Sequence, residues 1–162
     1  MNPSEVLMLI VEASLGLAGF AGVVTAVGQR SVADLVELQR LNLVNLLATA
    51  FGALFMSLGA LALQSAEVDD ETIWRIWSGV GIVPMVFFGA RSMLTTGRSI
   101  GFARAARSPT LLTINTAVLL TCGLQIWNVS SAGVFWPFFV LLITLFAIGC
   151  FSFARLLLYL RS

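Results

Sequence analysis

This 162-residue chain predicts an all-α fold, a multi-pass transmembrane helical bundle of five spans, on three observations. Apolar residues make up 59% of it and charged residues only 10%, with mean hydropathy +0.98, the balance of a chain solvated mostly by lipid. The apolar residues come in long blocks separated by short polar gaps. That leaves no room for a water-soluble core and predicts a single transmembrane domain over residues 1–162. Arginines recur at every second gap, as expected if short basic loops stay on the cytoplasmic side.

Crossing about 30 Å of hydrocarbon at about 1.5 Å per residue takes roughly 17 to 25 residues. The first span is expected at about 6–27. No Lys or Arg precedes it and its apolar length exceeds that of a secretory signal, so it is expected to stay in the mature protein. The second span, about 41–63, follows Ser31 and Asp34, whose spacing resembles a capping box that would start the helix before the membrane. The third, about 73–94, opens on Trp74 and Trp77 and contains Pro84, which is expected to kink it. Its stretch SGVGIVP at 78–84 lacks the complete potassium-filter pattern.

The fourth span, about 110–127, is the shortest, and its start is marked by Ser108 as a cap and Pro109 as a first-turn residue. Pro137 marks the start of the fifth, about 135–159. The charge-free NVSSAG at 128–133 between them predicts a tight turn and an antiparallel hairpin. Asn128, Val129 and Ser130 match the glycosylation triplet, but a short loop against the membrane argues against its use.

The arginines give a direction. Arg30 and Arg40 flank the first gap, Arg91, Arg98, Arg104 and Arg107 crowd the third, and Arg155 and Arg161 mark the C-terminus. The second gap carries Glu67, Asp69, Asp70 and Glu71 without a base, and the fourth carries no charge. The expected orientation is therefore N-terminus outside and C-terminus cytoplasmic. Trp74, Trp77, Trp127 and Trp136 then fall on the outer side, as in an interfacial belt, and Tyr159 at the inner end.

The residue inventory excludes several chemistries. Every basic residue is Arg, and the absence of Lys and His removes a lysine Schiff base, an imidazole base and imidazole metal ligands. Cys122 and Cys150 lie far apart inside apolar blocks and read as small hydrophobes. No metal or cofactor is expected, and no acid, base and nucleophile constellation suggests an enzyme. No basic soluble face suggests nucleic-acid binding. The run GLAGFAG at 16–22 has no preceding strand and reads as packing glycine. The basic third gap reads as a topology signal, or as a short interfacial helix against anionic lipid.

Two polar features remain. Steps of three and four from Leu35 pass through Leu38, Asn42, Asn45, Thr49, Gly52, Met56, Gly59 and Leu63, one stripe of the second span. Its glycines would let another backbone approach, either inside the bundle or between copies, or the stripe would line a wetted path. The second feature is Glu12, inside the first span. An intramembrane carboxylate costs about 2.5 to 3.5 kcal/mol on insertion scales and normally faces protein, water or a partner. Gly16, Gly19, Val23 and Ala26 continue its stripe.

Three readings of Glu12 compete: an ion pair with Arg75, itself able to pair with Glu71; a protonated acid bonded to a neighbouring helix; or an ion or proton site. In the last, Glu5 and the acidic loop would form a negative mouth. The expected function is an oligomeric, channel-like assembly conducting a small cation or proton past Glu12, Glu5, Asn42, Asn45 and Thr49. The alternative is a non-conducting accessory or scaffold subunit of a larger membrane complex. Expected partners are membrane lipids and a second copy or another membrane protein, in a cell membrane of the bacterial inner-membrane type. A transporter built of inverted repeats is disfavoured because five spans do not halve.

Overall fold

The computed structural model describes residues 2–27, 37–101 and 109–160. They form five long helices: α1 (Pro3–Val27), α2 (Glu37–Ser65), α3 (Asp70–Ile100), α4 (Pro109–Trp127) and α5 (Phe135–Leu160). A single π-helical turn, Asn128–Ala132, links α4 to α5. All five are long and apolar enough to cross a membrane, so the chain is a multi-pass membrane protein. The caps expected at Ser31 and Ser108, and Leu35, Arg30, Arg104, Arg107 and Arg161, lie outside the described residues.

The chain divides into two compact units, residues 1–62 with 145–162, and residues 63–144. In the first, α1 contributes Leu17 and Ala21, α2 contributes Leu43, Leu46 and Ala50, and the second half of α5 contributes Leu156 to one buried cluster. A Cβ built on Gly149 of α5 would lie 2.8 Å from the Thr49 hydroxyl and 3.0 Å from Leu17 Cδ2, so α5 meets α1 and α2 at a point where only glycine fits.

In the second unit, Trp74 is buried against Phe135 and Phe138, with ring centroids 4.9 Å and 5.9 Å away. It is a core residue here and not a belt residue, because the start of α5 covers it. Trp127 and Trp136 are exposed, their rings 5.9 Å apart. α3 runs unbroken through Pro84, which forgoes one backbone hydrogen bond.

The α4–α5 connection is an antiparallel hairpin held by polar side chains. Gln125 Nε2 donates to the Pro137 carbonyl at 2.8 Å, and the Thr121 and Thr144 hydroxyls lie 3.2 Å apart. Asn128 is fully buried; its Nδ2 donates to Ser78 Oγ (2.8 Å) and to the Val134 carbonyl (3.0 Å), and its Oδ1 accepts from Val134 N–H (2.9 Å). The nitrogen that glycosylation would need is thus committed to the fold. Gly133 closes the turn at φ 56°, where a Cβ would collide with Glu71 Cγ and lie 3.0 Å from Arg75 Nε.

The α2–α3 turn is also built from its own residues. Glu67 takes the left-handed conformation (φ 58°), and the N–H groups of Glu67 and Val68 return to the carbonyls of Gln64 and Leu63, a Schellman closure of α2. Asp69 then caps α3, its carboxylate accepting the Thr72 N–H at 2.8 Å.

Candidate functional site

In α1 the buried residues Leu7, Ile10, Ser14, Leu17 and Ala21 recur at alternating steps of three and four. At about 100° per residue this stripe lies roughly opposite the one that carries Glu5, Glu12, Gly16 and Gly19. All four of those residues are exposed. No described atom comes within 4 Å of a Cβ built on Gly16 or Gly19. Glu12 has no hydrogen bond or ion pair among the described residues. The acid and its neighbouring glycines therefore form an open face of α1, beside Met8, Leu15, Phe20 and Val23, each more than half exposed.

The stripe on α2 behaves differently. Asn42, Thr49 and Met56 are buried, and Asn45, Gly52 and Gly59 are half-buried. Thr49 is spent locally, its hydroxyl donating to the carbonyls of Asn45 (2.8 Å) and Leu46 (3.1 Å), a bond that needs no outside partner. A Cβ on Gly52 would meet nothing within 4 Å, so that glycine is not a close-contact point within the chain. The large apolar residues that α2 exposes are Phe51, Phe55 and Leu58, as lipid would have them. Glu12 on the open face of α1 and the polar residues on the covered face of α2 are accordingly not brought together.

Arg75, in the other unit, is ion-paired with Glu71 one turn earlier in α3. Its pairing with Glu71 and the cap at Asp69 give two of the four acids of the second gap a structural task. The bond from the Thr72 N–H holds the Asp69 carboxyl below its ordinary pKa of 3.8.

The first unit also buries oxygens without a partner among the described residues: the hydroxyls of Ser14 and Ser57 and Oδ1 of Asn45. Ser14 belongs to the packed stripe of α1, a position hidden from sequence reasoning because attention falls on the Glu12 stripe. Gly149 was missed as well. Its only signal is a small residue in an apolar run, shared with many glycines that touch nothing.

In comparison with known proteins, no family model, curated protein or solved structure matches this chain.

Proposed function

We propose that this chain is a subunit of a membrane assembly, non-conducting in itself, in which the acid-bearing face of α1 docks against a second copy. One observation carries the reading: a carboxyl within a membrane-length helix lies on the face that the chain's own described helices leave open. Left against acyl chains it costs about 2.5 to 3.5 kcal/mol, which a polar neighbour would offset. Gly16 and Gly19 leave space for another backbone to approach. A two-fold contact sets the same face of each copy against the other, so both acids gain protein surroundings at once. The proposal includes a cell membrane of the bacterial inner-membrane type, with the N-terminus outside and the C-terminus cytoplasmic, following the arginine-rich gaps.

Passage of a small cation or proton through the assembly is the second reading. It is supported by the unpartnered oxygens of Ser14, Ser57 and Asn45, which bridging water would satisfy. The docking role is preferred because Glu12 and the α2 residues Asn42 and Thr49 occupy differently covered faces.

Both readings meet one experiment: copy number in lipid bilayers by single-molecule photobleaching, with cation and proton flux measured on the same vesicles. The wild-type chain is expected to show more than one copy and no flux. Gly19→Leu is expected to give single copies with unchanged helix content, since its side chain enters space the fold does not use. Wild-type chains found singly would overturn self-assembly. Flux that disappears in Glu12→Gln would establish the conducting reading instead.

A further inference from the structure

We draw no further inference here: the strongest candidate, the cleft of about 520 Å³ between α3 and α4 walled by Val86, Ala90, Met93, Leu112 and Leu119, is an apolar groove, and nothing in the structure shows what covers it.

Discussion

A methyl group added at residue 149 would lie 2.8 Å from the Thr49 hydroxyl and 3.0 Å from a Leu17 methyl, at the meeting point of three helices. Backbone cannot withdraw there without loosening the cluster around Leu46 and Leu156. Gly149→Ala is therefore expected to destabilise the chain by about 1–3 kcal/mol in reversible detergent unfolding. Combining it with Thr49→Ala should recover part of that loss, because the nearest clashing atom is gone. The same substitution at Gly16 should be nearly silent, since its added Cβ meets nothing. All of these are glycines in apolar runs, and no local feature of the sequence separates them. Absence of a side chain permits close approach; which helix approaches is a tertiary matter. Glu12 is the converse case: its oddity is legible from the sequence alone, while the face it occupies is not.

At the scale of elements, α1 shows why that face was hard to read. Apolar residues surround the helix, since lipid-facing and core-facing positions are equally hydrophobic in a membrane, and periodicity marks no inward side. The stripe through Ser14 packs, and the stripe through Glu12 does not. The start of α3 follows local rules, an Asp cap followed by further acids in the first turn, although the span expected from the sequence begins at about 73, with no cap named there. Asp69→Ala should remove that cap and lower the melting temperature. The Asp69 carboxyl titrates below 3.8 in the folded chain, so its contribution is complete above that pH and is lost as pH falls through the lower, folded value. The melting difference between wild type and Asp69→Ala is thus expected to be constant at neutral pH and to shrink below about pH 4. A difference that stays unchanged down to pH 2 would count against the capping carboxylate.

On the scale of the whole molecule, five helices are long and apolar enough to cross a bilayer, and the orientation proposed from the arginine-rich gaps puts the N-terminus outside and the C-terminus cytoplasmic. A short tag at the N-terminus should be reached by an impermeant label on intact cells, and one at the C-terminus only after permeabilisation; the reverse pattern would refute the assigned direction. The number of helices and their class were legible from the sequence, because length and hydropathy are one-dimensional quantities that the bilayer thickness converts directly into spans. The limits at 27, 127 and 135 coincide with the expected ones, whereas α2 (Glu37–Ser65) and α3 (Asp70–Ile100) overrun the expected 41–63 and 73–94. The tertiary structure alone decided which faces are covered. It turned the α2 stripe inward and the Glu12 stripe outward, buried Trp74 beneath α5, and made Asn128 the clasp of the last hairpin. The physical reason is that hydrocarbon solvates an apolar face as well as protein does, so burial inside a membrane protein follows from shape and polar contacts between distant residues, which hydropathy does not encode.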